Sequence, residues 1–328
     1  MRAQKDRASA CAVLGLVCLA TLASPALPVG DEGPANESIT RPVVSEDVSP
    51  LETITPVARD GHRGQGFLRK PPGAGPFPAV VVIHGGLVTL PPERLREHAL
   101  SAQPSRFLAA GYVVAAITYR SRDDDPQSTV SREDSLAAIA HVRRLAYVDF
   151  ESIVVSGCSG GGDLALEVAA ATDVAAIVPE EPASVLFTGV YNKTFPKQGE
   201  RYTPLDGAPI SADPKRYYTS EYQERTRAKI GKIRCPILIV QGDQAPINAF
   251  NAAVLIPELR AAGKTLEVIT YPGEPHCFAF YGTGPRTPRP AAALKAFVDT
   301  DRFVRRYLRT KPKPLEPGLV THVALGPS

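Results

Sequence analysis

The strongest constraint on this chain is a strand–turn–helix signature at residues 153–171. The β-branched run Ile153-Val154-Val155 leads into Gly157-Cys158-Ser159-Gly160-Gly161, and a helix-forming run, 164–171, follows at once. Gly-x-Ser-x-Gly in this context predicts a sharp, strained turn that lifts a serine hydroxyl clear of a sheet. Side chains at Gly157 and Gly161 would collide with the neighbouring strand and helix. The N–H of Gly160 falls at a helix N-terminus, where it can face a developing negative charge. A glycine-rich turn that merely contains a serine is the bland alternative, and the flanking strand and helix weigh against it.

Apolar strand-like runs recur at 79–83, 112–118, 152–156, 174–178, 237–241 and 266–270. Helical patterns separate most of them, at 100–110, 131–146, 163–171, 249–262 and 291–308. This alternation predicts an α/β fold with a mostly parallel central sheet and helices on both faces. Residues 51–57 and 65–70 read as an antiparallel opening pair. Gly111 and Gly263 fall where helix C-caps are expected. Residues 182–232 break the rhythm between two core strands and are rich in Tyr, Lys, Arg and Pro, the pattern of a lid or binding insertion.

The N-terminus has a different character. Arg2, Lys5 and Arg7 precede an apolar run at 10–23, and the small residues Ala23, Ser24 and Ala26 follow. These are the regions of a secretory signal peptide, over 1–23, and the apolar stretch is short for a membrane span. Residues 24–50, rich in Pro, Ser, Glu and Asp, read as a flexible linker. The catalytic domain is expected over 51–310, and the Pro- and Gly-rich stretch 311–328 as a C-terminal tail. Export places the protein in a secreted or periplasmic compartment. The chain's net charge is only +3, much of it in the leader, so neither a nucleic-acid patch nor an acidic tail is indicated. No His-Glu-x-x-His, Cys-x-x-Cys or Walker loop occurs, and Gly160-Gly161-Gly162 alone is poor evidence for a nucleotide. No metal or cofactor is therefore expected, and the oligomeric state stays open.

Several motifs occur together: Pro78-Ala79-Val80-Val81-Val82-Ile83-His84-Gly85-Gly86, Ala110-Gly111-Tyr112-Val113-Val114, the serine turn, Pro236-Ile237-Leu238-Ile239-Val240-Gln241-Gly242, and Tyr271-Pro272-Gly273-Glu274-Pro275-His276. With them the chain resembles the α/β-hydrolase superfamily, and most of all its dienelactone hydrolase and prolyl-oligopeptidase-type branch. The resemblance implies an α/β-hydrolase fold and a Ser-His-acid triad. It implies Ser159 as nucleophile and His276, in the loop after the last strand, as general base. It also implies that the His-Gly-Gly turn donates the N–H of Gly86 to an oxyanion hole beside that of Gly160, with a structural role for His84. His98 and His141 fall within or beside helical stretches, and His62 and His322 lie near the ends of the core.

The acid is less direct. In the family it follows the strand at 237–241, and here that window reads Gly242-Asp243-Gln244-Ala245-Pro246, with Ala245 where the aspartate belongs. Three carboxylates remain open: Glu181, somewhat ahead, then Asp243 and Glu180. Glu180 and Glu181 follow the 174–178 run and can reach the same edge of the sheet. Glu274 stands too close to His276 in sequence for an easy approach. Cys158 adjoins Ser159 and Cys277 adjoins His276, so a meeting of serine and histidine brings the two sulfurs near one another, and an oxidising compartment permits a disulfide. Cys235 would remain free. The Cys-Ser … His-Cys pairing is locally similar to tannase-type feruloyl esterases and glucuronoyl esterases. The latter place a catalytic glutamate after the strand that follows the elbow, but carry an arginine where Gly160 stands here.

The reading is an exported serine carboxylesterase acting on a small-molecule or carbohydrate-linked ester. A prolyl-oligopeptidase-like peptidase is an alternative, weakened because 24–50 cannot form a propeller. A non-catalytic binding protein on the same fold is another, with Ala245 as its support.

Overall fold

The computed structural model describes residues 50–120, 129–190, 208–281 and 290–313. All lie in the second of the two compact units into which the chain divides, 44–328. The leader at 1–23, nearly all of the linker, part of the insertion and most of the tail lie outside the described residues.

In chain order the elements are β1 (Glu52–Ile54), β2 (Gly66–Arg69), β3 (Phe77–Ile83), α1 (Pro92–Ala99), α2 (Ala102–Ala109), β4 (Val113–Ile117), α3 (Thr129–Arg143), β5 (Val148–Cys158), α4 (Gly160–Ala169) and β6 (Ala176–Glu180). The inserted segment contributes α5 (Ser184–Phe187), α6 (Ala208–Ala212), α7 (Pro214–Tyr217) and α8 (Ser220–Lys232). Then come β7 (Ile237–Gly242), α9 (Asn248–Phe250), a π-helical turn at Asn251–Leu255, α10 (Ile256–Ala261), β8 (Leu266–Tyr271), α11 (Phe278–Tyr281) and α12 (Pro290–Arg305). The single helix expected over 249–262 is thus interrupted by a π turn, and α1 had no counterpart in the periodicity.

The strands form one sheet in the order β1-β2-β4-β3-β5-β6-β7-β8. The opening pair is antiparallel, with Glu52 opposite Leu68, and β2 runs antiparallel to β4. From β4 onward every pairing is parallel. Strands covered on both faces carry continuous apolar runs, and β3 and β4 are buried along nearly their whole length. Alternation divides each run between two cores. Val81, Val155 and Ile239 face one side, with Ala138 of α3, Leu164 of α4, Ile230 of α8 and Leu259 of α10. Val80, Val82, Val154 and Leu238 face the other, with Phe107 of α2 and Phe297 and Phe303 of α12. The described part of the insertion closes a third, smaller apolar cluster around Ile210, Tyr222, Phe250 and Val254.

The order matters for function. From β3 the chain crosses to β4 on one side and returns to β5 on the other. The carboxyl ends of β3 and β5 therefore meet where the strand order reverses, the usual place for a ligand crevice in an open α/β sheet. The turn at 84–86 and the serine turn sit at these two ends. One boundary shift has consequences: β6 runs two residues past the expected 174–178, so Glu180 is a strand residue and not part of a loop.

Candidate active site

Ser159 joins β5 to α4 with φ 53° and ψ −114°, a strained conformation for a residue with a side chain. The flanking glycines are required by close approach. A Cβ on Gly157 would lie 2.3 Å from the Gly161 carbonyl oxygen, and one on Gly161 would lie 2.2 Å from that of Ile83. Backbone bonds hold the turn from both sides: Ser159 N–H donates to the Glu180 carbonyl at 2.9 Å, and Ala183 N–H donates to the Ser159 carbonyl at 2.9 Å.

Gly86, with φ 86°, faces this turn. Its carbonyl oxygen accepts from the Tyr119 hydroxyl at 2.6 Å. A Cβ on Gly160 would lie 2.1 Å from that same oxygen and 3.2 Å from Leu87 Cδ2. An arginine at 160, as in glucuronoyl esterases, has no room here. The N–H groups of Gly86 and Gly160 make no hydrogen bond among those described. His84 is buried and structural: its Nδ1 meets the Gly85 carbonyl at 2.7 Å, its Nε2 meets Thr118 Oγ1 at 3.0 Å, and its ring stacks on Tyr119. Burial pushes its pKa down to about 4, so the ring is neutral near pH 7.

The three open carboxylates have separate places. Glu181 is fully buried, and its Oε2 lies 2.8 Å from His276 Nδ1. The same oxygen accepts from Cys277 N–H. Its Oε1 accepts from Gly242 N–H at 2.7 Å and Asn248 Nδ2 at 3.2 Å. A carboxylate accepts only, so Nδ1 carries the imidazole proton and Nε2 is left as the basic nitrogen. Glu181 reaches this position with a φ of 41°, a left-handed turn just past the end of β6. Asp243 makes no hydrogen bond or ion pair to His276 among the described contacts. It is exposed, and its Oδ1 accepts from Gln244 Nε2 at 2.6 Å and Gly273 N–H at 2.8 Å, a turn-stabilising role that also lowers its pKa. The carboxylate paired with His276 is that of Glu181, while Glu180 Oε1 accepts from Ala279 and Phe280 N–H.

Cys158 and Cys277 form a disulfide with Cα atoms 5.9 Å apart, so Ser159 and His276 are the chain neighbours of a cross-linked pair. Nitrogen- and sulfur-donor atoms of Cys158, His276 and Cys277 converge within 4.8 Å, but the disulfide uses both sulfurs and leaves no ligand set for a metal. Cys235 is free and buried. Sequence reasoning missed Asn248 and Tyr281. The first orients Glu181, and the second has a hydroxyl that accepts from Gly85 N–H at 2.8 Å. Neither belongs to a motif, because each acts through a contact distant in sequence.

The family model described as BAAT / Acyl-CoA thioester hydrolase C terminal matches residues 136–303, just over half of the chain and inclusive of the serine turn, Glu181 and His276. A second family model, BD-FAE, matches residues 68–194. Among solved structures, carboxyl esterase 2 from the mycorrhizal fungus Tuber melanosporum is 18% identical with a TM-score of 0.55, covering 81% of this chain and 90% of its own. Brefeldin A esterase, a bacterial homologue of human hormone-sensitive lipase, is 20% identical with a TM-score of 0.58, covering 82% and 80%. A thermostable esterase from Pseudomonas putida is 17% identical with a TM-score of 0.59, covering 81% and 85%. Fold, strand order and family match agree, and the chain belongs to the α/β-hydrolase superfamily and, within it, to the BAAT / acyl-CoA thioester hydrolase C-terminal family.

Proposed function

We propose that this protein is an exported serine hydrolase that cleaves carboxylic esters through an acyl-enzyme. The observation that carries the reading is the buried Glu181 carboxylate, 2.8 Å from His276 Nδ1, on a loop cross-linked to the residue before Ser159. A serine hydroxyl is a weak nucleophile and needs a base with a defined tautomer. His276 Nε2 takes the Ser159 proton as Oγ attacks the carbonyl. The tetrahedral oxyanion is held by the N–H groups of Gly86 and Gly160. His276 then returns the proton to the leaving alcohol, and the acyl-enzyme is hydrolysed by water activated at the same nitrogen. The Glu181 carboxylate fixes the His276 tautomer and stabilises the imidazolium formed in both steps.

The binding-protein alternative drew its support from Ala245. That support weakens once the carboxylate beside His276 comes from β6 and not from β7. The esterase titles of the structural neighbours describe those proteins and are consistent with this reading. The test is fluorophosphonate labelling of the mature protein with an ester and thioester panel, aryl-amides serving as the peptidase control. Labelling at Ser159 with turnover of p-nitrophenyl acetate supports the proposal. Labelling elsewhere, or amide cleavage without ester cleavage, refutes it.

A further inference from the structure

Glu180 and Glu181 are adjacent and both buried, yet they serve different partners. Glu180 closes β6 and Glu181 follows in a left-handed turn, so the two carboxyl groups meet different N–H groups of one segment: Glu181 that of Cys277, Glu180 those of Ala279 and Phe280. Glu180 Oε1 accepts from Ala279 N–H at 2.9 Å and Phe280 N–H at 3.2 Å, the first turn of α11, two residues beyond the disulfide cysteine. That helix ends at Tyr281, whose hydroxyl accepts from Gly85 N–H at 2.8 Å. The Tyr281 hydroxyl also lies 3.0 Å from where a Cβ on Gly85 would stand. The single-turn helix that Glu180 holds thus follows the His276 loop at one end and touches the turn at 84–86 through Tyr281 at the other.

We propose that Glu180 is a positioning residue that sets the place of the His276 loop and, through α11 and Tyr281, of the turn bearing Gly86. The inference rests on the serine-hydrolase reading and adds to it a part not in the triad. A side chain from the strand behind the acid meets the Ala279 and Phe280 N–H groups, so acid, base and oxyanion turn share one anchor. Burial and the neighbouring Glu181 hold the Glu180 carboxyl well above the usual carboxylate range, against the downward pull of the Ala279 and Phe280 N–H groups and of the buried Arg106. A neutral amide of the same shape can therefore take its place.

The experiment compares Glu180→Gln, Glu180→Ala and Tyr281→Phe in the full chain, by p-nitrophenyl acetate kinetics and by the rate of fluorophosphonate labelling. Displacing catalytic groups by a fraction of an ångström to an ångström costs kcat far more than KM, so Glu180→Ala is expected to lower kcat about 10- to 100-fold with KM within about threefold. Glu180→Gln keeps the acceptor oxygen and is expected to retain kcat within about threefold. The double variant Glu180→Ala/Tyr281→Phe is expected to fall little below the worse single, because both act through α11. Unchanged kcat in a folded Glu180→Ala overturns the proposal, as does a Gln variant as impaired as the Ala variant, or strict additivity. If Glu180→Ala does not fold, Tyr281→Phe decides: a lowered kcat supports the relay and an unchanged one overturns it. Labelling rates read the site without a substrate. A wild-type protein that is labelled at Ser159 but turns over no ester would sink the esterase reading while leaving the positioning role testable.

Discussion

At the residue scale, the proposed mechanism rests on three side chains and two backbone N–H groups. Ser159→Ala is expected to lower ester turnover by about 10⁴-fold or more with the fold intact, measured by steady-state kinetics and circular dichroism. Removing the carboxylate charge beside a catalytic histidine disturbs its tautomer, so Glu181→Gln is expected to cost kcat on the order of 10³–10⁴-fold. Asp243→Asn leaves the His276 contact untouched, and its kcat is expected to stay near wild type. A reversed ranking of these two variants would restore the acid to the loop after β7. Cys235 offers a separate test. Burial pushes its thiol up to about 12, so at pH 8 it should resist iodoacetamide in the native protein and react once unfolded.

At the element scale, the serine turn is a packing constraint as much as a catalytic one. Gly161→Ala places a methyl group 2.2 Å from the Ile83 carbonyl oxygen, and backbone cannot yield as a flexible side chain can. The expected cost is about 3 kcal/mol or more, read as a lowered urea midpoint or loss of soluble protein. The Cys158–Cys277 cross-link spans 119 residues of sequence. Closing a loop of that length stabilises by about 4–5 kcal/mol in the chain-entropy model, so Cys158→Ser/Cys277→Ser should melt well below wild type. Activity lost before global unfolding would show that the bridge also holds the two catalytic loops together. Ser159 and His276 stood out in the sequence because they sit in short motifs at the ends of regular elements. The acid stayed open among Glu181, somewhat ahead, Asp243 and Glu180, since which carboxylate meets His276 depends on where β6 ends and on the left-handed φ at Glu181.

At the scale of the whole molecule, buried neutral histidines set an acid limit. His84 and His98 are both buried, with pKa values pushed down to about 4 and about 3 by desolvation, the largest cause for each. The unfolded chain takes up these protons near pH 6.5, so below that pH it binds more protons than the folded chain. Stability contributed by the neutral rings is full above pH 6.5 and is lost as pH falls toward 4. The drop is on the order of a few kcal/mol. Urea titrations from pH 7 to 4.5 should show it, and His98→Phe, which keeps a ring stacked near Phe280, should flatten the dependence. Export is the molecule-scale proposal that bears on the disulfide. Thiol counting on exported, denatured protein is expected to find one reactive thiol, at Cys235, and three thiols would refute the bridge in that material.

What the sequence determined by itself was whatever local pattern and period can encode. Apolar runs alternating with helices specify a parallel sheet covered on both faces, and two glycines around a serine specify an elbow, because strand burial and steric approach act over a few residues. The Cys-Ser and His-Cys pairs even pointed to a contact 119 residues apart, since each cysteine neighbours a residue of the same site. Only the tertiary structure decided which carboxylate meets His276, that Asp243 braces a turn instead, and that Asn248 and Tyr281 belong to the site. Those choices depend on strand ends, side-chain direction and the packing of loops at one edge of the sheet. They are differences of an ångström or a single register step, and no local propensity in the chain is sensitive to them.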